Sequence, residues 1–419
     1  MTDALIIIRG LHFAASVVAC GTVCFMALVA RPPAGKPAPA GFAQLRQSAN
    51  VLAWLSLALA LATGAAWLVL LSSQIFGTSI IDAGRSGGVW TVLTKTRFGS
   101  VWSARSLLAL FLAACIAWRR AAAIRILIAV TFLALLAFAG HAGATPGTAG
   151  NIHLVSDMAH LLAAGAWLGA LPAFVLVLRA TPHAAKDDWS EFVIQATRRF
   201  SVLGALSVAS IMASGLINSW NLLTRPQDLW TTGYGRLIAI KMGLFAAMTV
   251  IAACNKFILT PRLPNAPALR DLRRGSLAEI CLGLGVLSAV AVLGLLEPPT
   301  HAHSDAYAIP PDAAFVHIHN RAAMADVTIE PGRVGWASVT IRVSREDFTS
   351  YPAKVVRLSL EPPQRGGETL EQAATEQADG TWIVNRVKLE HSGIWTVRVS
   401  TINRLEEAVT LDAPVVIGR

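Results

Sequence analysis

The chain has 419 residues, 54% of them hydrophobic and only 14% charged, with a mean hydropathy of +0.55. Soluble globular domains carry about 25% charged residues, so this composition excludes a soluble globular protein and calls for a bilayer as solvent. A formal charge of +10 would suit a nucleic-acid partner, but the placement of the basic residues accounts for it without one.

The N-terminal stretch "MTDALIIIRGLHFAASVVAC" has no basic n-region, carries Asp3, and is interrupted by Arg9 and His12. It therefore reads as a retained first span and not as a cleaved signal peptide. Apolar segments long enough to cross a bilayer follow the same pattern along the chain. They lie near 4–30, 50–71, 100–118, 121–140, 153–178, 200–220, 236–259 and 276–296. Loops one, three, five and seven hold 15 Lys and Arg residues against 5 in the others, which puts the odd loops in the cytoplasm and both termini outside. All five cysteines fall in apolar segments and none lies beyond residue 281, so no disulfide framework is indicated.

After "LLEPPTHAHSDAYAIPPD" the pattern changes to short alternating runs such as "GWASVTIRVS" and "GIWTVRVSTI". These predict a small extracytoplasmic antiparallel β-sandwich. The expected fold is thus mainly α. An eight-helix polytopic membrane bundle (1–297) is followed by a linker (298–312) and the β-sandwich (313–419).

Within the fifth span, "HLVSDMAH" sets His153, Asp157 and His160 on one helical stripe. An ionisable group at the bilayer centre costs about 2.5–3.5 kcal/mol on insertion scales, so three on one face predict a polar cavity. Alternating span directions bring other polar residues to the same outer depth. These are His12, Trp102, Arg105, His141, Asn218 and Lys241, each within roughly 15 Å of the outer surface at 1.5 Å rise per residue. Glu279 belongs near the opposite face.

Imidazoles grouped in this way suit copper, zinc, iron or nickel. His12, His141, His153, Asp157 and His160 are the candidate metal residues, with Trp102, Arg105, Asn218 and Lys241 in support. Asp157 can ligate, orient a ligating imidazole, or neutralise Arg105 or Lys241. Paired histidines in a bundle also describe haem ligation, by His12 with His160 or His141 with His153. Cys20, Cys24, Met26, Met212, Met242 and Met248 are soft donors that ordinary packing explains equally well. A second candidate metal site, N-rich and suited to Cu(II), combines His301 and His303 with His317, His319 and Met324. Solvent-exposed histidines on a linker and an edge strand are the competing reading.

Several stretches taken in order give the chain a family resemblance. They include "RGLHFAASVVACGTVCF" (9–25), "TKTRFGSVWSARSLLAL" (94–110), "AFAGHAGA" (137–144) and "IHLVSDMAHLLAAGAWLGAL" (152–171). "RRFSVLGALSVASIMASGLINSW" (198–220), "YGRLIAIKMGLFAAM" (234–248) and "LRRGSLAEICLG" (272–283) continue the series. Over 1–297 the chain resembles the CopD family of bacterial copper-transport membrane proteins. The segment "DGTWIVNRVKLEHSGIWTVRVS" (379–400) resembles a YtkA-like β domain. The resemblance implies an inner-membrane protein that takes copper, as Cu(I) or Cu(II), from the periplasm towards the cytoplasm or confers copper tolerance. Some relatives carry a CopC-like copper-binding domain in front. Here the chain starts at span one, so such a donor is expected as a separate partner. Nothing resembles a Walker A loop or a phosphorylated-Asp motif, so an ATP-driven enzyme is not expected. A membrane-anchored copper chaperone or assembly factor is the remaining alternative.

Overall fold

The computed structural model describes residues 2–32, 37–76, 79–85, 87–118, 121–139, 147–180, 187–223, 225–296, 310–319, 323–345, 350–363, 368–403 and 406–418. Eight helical segments are long and apolar enough to cross a membrane. In order they are α1 (Thr2–Cys24), α2 (Phe42–Ile75), α5 (Arg97–Ala117), α6 (Ala122–Ala134), the pair α7 (Gly147–Trp167) and α8 (Leu171–Arg179), α9 (Asp187–Leu222), α11 (Gly233–Cys254) and α12 (Ala266–Leu293). Short helices α3 (Ile80–Arg85), α4 (Gly88–Lys95) and α10 (Asp228–Thr231) occupy the connections.

The sequence predicts eight unbroken spans; four of them change helical type along their length. Phe25–Val29 and Asn255–Leu259 are π-helical turns, while Leu135–Ala139 and Leu168–Ala170 are 3-10 turns. Pro172 explains the last of these, because its ring nitrogen cannot donate to the carbonyl four residues back. Two helices are also longer than the hydropathy pattern indicates. α2 has 34 residues and α9 has 36, roughly 50 Å each at 1.5 Å per residue, beyond the ~30 Å hydrocarbon core. The N-terminal part of α9 buries Trp189, Phe192, Val193 and Ala196 in a common core with Phe42 and Leu45, which holds that extension in place.

Helix α1 is the centre of the bundle, packed against α6, α7, α8 and α12. Small residues make this possible, since association in lipid depends on close backbone approach. A Cβ added to Gly21 would lie 2.5 Å from Ala170 N and from Gly165 O, and closer still to the Gly169 carbonyl carbon. Threonine caps start two of the spans: Thr96 Oγ1 accepts from Gly99 N at 3.1 Å, and Thr232 Oγ1 from Gly235 N at 2.9 Å.

The C-terminal region forms two antiparallel sheets. One has the order β1-β2-β3-β7-β6 and the other β5-β4-β8-β9. The strands are β1 (Ala314–His319), β2 (Met324–Glu330), β3 (Gly335–Ser344), β4 (Ala353–Glu361), β5 (Leu370–Ala373), β6 (Thr375–Glu376), β7 (Trp382–Leu389), β8 (Gly393–Asn403) and β9 (Ala408–Ile417). One core unites the two sheets, with Val327, Ile329, Val339 and Ile341 from the first meeting Val356, Leu360, Val397 and Val399 from the second. Seven strands match the alternating runs. The short β5 and β6 do not, because their residues are mostly exposed and carry no two-residue hydrophobic period. The chain divides into two compact units, residues 1–72 with 84–303, and residues 304–419 with 73–83.

Candidate metal site in the helical bundle

The predicted polar residues of the bundle assemble in two groups. In the first, His12 is buried between α1, α2 and α5. Its Nδ1 lies 3.0 Å from Ala60 O and 3.2 Å from Thr63 Oγ1, and its Nε2 lies 3.0 Å from Arg105 Nη2. Guanidinium nitrogens only donate, so Nε2 accepts and Nδ1 carries the proton that goes to Ala60. Arg105 also donates to Phe132 O at 2.6 Å and to Ser16 Oγ at 2.8 Å, and stacks on the Phe132 ring at 4.4 Å. Trp102 closes this group, its Nε1 2.8 Å from where a Gly64 Cβ would stand. The lone pair of His12 that a metal would use is thus occupied by Arg105.

The second group lies between α7, α9 and α11. Ser156 Oγ donates to Ser214 O at 3.1 Å, and His160 Nδ1 lies 3.0 Å from Ser214 Oγ. Ser214 directs its own proton to Ser210 O at 2.6 Å, so its oxygen accepts and His160 Nδ1 donates. Neutral His160 then keeps its lone pair on Nε2, the arrangement by which an outer partner orients a metal-ligating imidazole. Asp157 Oδ1 accepts from Asn218 Nδ2 at 3.4 Å, and Lys241 and Tyr234 of α11 interact with it electrostatically. Asn218 Oδ1 is buried without a hydrogen-bond partner, which leaves an acceptor beside the Asp157 carboxylate. His153 is buried one turn above Asp157.

Of the predicted residues, the structure therefore joins Asp157, His160, Asn218 and Lys241, and separately His12, Arg105 and Trp102. Among the described residues no hydrogen bond or ion pair links the two groups, and no three His, Cys, Asp or Glu side chains converge as a ready metal cage. His141, His301 and His303 lie outside the described residues, as does the side chain of His319. In the β unit, His317 Nδ1 lies 2.5 Å from Asp326 Oδ1, its cross-strand neighbour. Met324 is 5% exposed and so faces the protein interior.

Sequence reasoning missed the serines of the second group. Ser210, Ser214 and Asn218 stand at i, i+4 and i+8 on α9, a polar stripe facing the α7 stripe, and this spacing was the available signal. A third polar group lies further along α7. Glu279 is 2% exposed, and its carboxylate accepts from Trp167 Nε1 at 3.2 Å and from Asn255 Nδ2 at 2.7 Å.

A bundle of apolar helices with buried ionisable side chains defines a polytopic membrane protein with a polar interior. Sequence comparison narrows the class. The family model described as "Copper resistance protein D" matches residues 194–293, and "Copper resistance protein D-like, N-terminal domain" matches residues 1–151. Copper resistance protein D of Pseudomonas syringae pv. tomato is 31% identical over 226 residues, 50% of this chain and 72% of that protein. Inner membrane protein YebZ of Escherichia coli (strain K12) is 28% identical over 300 residues, covering 70% of this chain and 98% of the relative. Copper transport protein CutJ of Bacillus subtilis (strain 168) is 27% identical over 337 residues, 76% of this chain and 58% of that protein. The chain belongs to the copper resistance protein D family. No solved structure matches it.

Proposed function

We propose that this protein is a copper transporter of the bacterial inner membrane. In this reading both termini face the periplasm, and copper enters from that side through the group on α7, α9 and α11. The single observation that carries the reading is the orientation of His160, whose Nδ1–H is held by Ser214, which leaves the Nε2 lone pair for a metal on the stripe that also carries Asp157. His153 supplies a second imidazole on the same stripe, His141 would add a third, and His12, in the separate group on α1, α2 and α5, would be a further stop for the ion. For His12 this requires Arg105 to release Nε2. The copper named in the descriptions of two relatives supports the choice of ion, and the name of the YebZ relative supports the choice of membrane. The family names also favour a transporter or resistance protein over an enzyme. A CopC-like periplasmic protein would hand over the ion, and the β unit, with its His317–Asp326 pair, would stand on the same side.

Copper uptake into cells expressing wild type, His153→Ala, Asp157→Asn and His160→Ala tests the site. Loss of a ligand or of the residue that orients it is expected to weaken metal binding about 10–100-fold. Uptake should fall accordingly at equal protein level. Wild-type uptake in all three variants would remove the stripe from the mechanism. Binding to the purified protein should also weaken when the pH is low enough to protonate Nε2, because that proton takes the lone pair that the metal needs.

A further inference from the structure

The cavity around Glu279 is not explained by the copper reading. It has a volume of about 250 Å³ and lies between α7, α9, α11 and α12. Along α7 it is seven residues from His160 to Trp167, roughly 10 Å at 1.5 Å per residue, so the cavity is a separate level of the bundle. The π-helical turn Asn255–Leu259 brings Asn255 to Glu279, and Gly275 leaves the room: a Cβ there would stand 2.5 Å from Asn255 Oδ1. Lys256 is the one other charged side chain lining the cavity among the described residues, and its Nζ sits 5.3 Å from the Phe257 ring centroid. No ion pair to Glu279 is made among the described residues. The remaining polar lining consists of Thr197, Ser201, Thr249 and Ser276.

This donor set selects its ligand. Copper favours nitrogen and sulfur donors, and the cavity offers one carboxylate and neutral hydroxyls. A divalent hard cation draws on several oxyanions, and only one is present. A proton needs a single carboxylate, and its uptake removes the cost of a buried unpaired charge. Each carboxylate oxygen keeps one N–H donor and one free lone pair, so either can take the proton while the hydrogen bonds from Trp167 and Asn255 persist. We infer that Glu279 is a proton-binding site of the membrane unit, held by Trp167 and Asn255 and exchanging with water that enters the cavity it lines. The proton passes between hydronium or water in that cavity and a Glu279 oxygen, with no other bond made or broken.

Infrared difference spectroscopy of the full-length protein in detergent, titrated in pH without copper, tests this independently of the uptake experiment. Wild type should show a carboxylic-acid C=O band that titrates, Asp157→Asn should keep it, and Glu279→Gln should lose it. Trp167→Phe, which leaves the carboxyl in place but deletes its N–H donor, should keep the band and move its midpoint. Identical difference spectra for wild type and Glu279→Gln would overturn the inference. So would a midpoint unmoved in Trp167→Phe, or a band that follows sodium or potassium concentration instead of pH.

Discussion

Replacing Arg105 with alanine is expected to destabilise the membrane unit by about 3 kcal/mol, since leaving one buried polar group unpaired costs roughly 1–3 kcal/mol. Three acceptors depend on this guanidinium: His12 Nε2, Ser16 Oγ and Phe132 O. Ser16 can turn towards its own helix, but His12 and the Phe132 carbonyl have no such recourse in apolar surroundings. The stacking contact with the Phe132 ring is lost as well. Lysine keeps the charge but not the fork that reaches three acceptors, so Arg105→Lys should recover only part of the loss. Thermal unfolding in detergent, followed by thiol labelling of buried Cys20 and Cys24 over the baseline of exposed Cys254 and Cys281, reads the effect. An unchanged midpoint in Arg105→Ala would show that the network adds nothing to stability.

The second large effect is steric. Gly21→Ala places a methyl group against the backbone of Gly165, Gly169 and Ala170, where no flexible side chain can yield. Overpacking typically costs 1–3 kcal/mol, and the upper end, about 3 kcal/mol, is expected where only backbone faces the intruder. On the same helix, Gly10→Ala meets Ala291 Cβ at 3.6 Å, an ordinary contact, and should be close to neutral. The pair is an internal control for the same unfolding measurement. The change also reaches function. Gly165 of α7 and Gly169 of the 3-10 turn that follows it flank Trp167, so pushing α1 away moves the residue that donates to Glu279. Equal stability of the two alanine variants would refute the close crossing of α1 and α7.

Most of the architecture was legible in the sequence because it follows from two strong periodic signals. Twenty or more apolar residues in a row report a span, and a two-residue alternation reports a half-buried strand. Where those signals are absent the reading fails: β5 and β6 bury almost nothing, and Phe25–Val29 and Asn255–Leu259 change helical type without a change in hydropathy. The candidate site was legible in part. Spacing set His153, Asp157 and His160 on one face, and counting residues from the span ends set His12, Arg105, Asn218 and Lys241 at one depth. Depth does not determine azimuth, however. Which helix faces which depends on small residues such as Gly21 and Gly64, and that is why one expected group of polar side chains is two in the structure. Glu279 was assigned only a depth, because Asn255 and Trp167 become its partners through tertiary packing alone.

The central place of α1 has a consequence for biosynthesis. This helix leaves the ribosome before α2, α5, α11 and α12, yet it is the most enclosed span of the bundle, with 72% of its most apolar window buried. Two of its polar side chains find hydrogen-bond partners in later arrivals: His12 in Ala60, Thr63 and Arg105, and one guanidinium nitrogen of Arg9 in the Gly294 carbonyl that follows α12. Until translation reaches residue 294, the nascent chain must shelter an arginine and a histidine in lipid or in the insertion machinery. The innermost helix of the membrane unit is therefore among the last to gain its long-range hydrogen bonds.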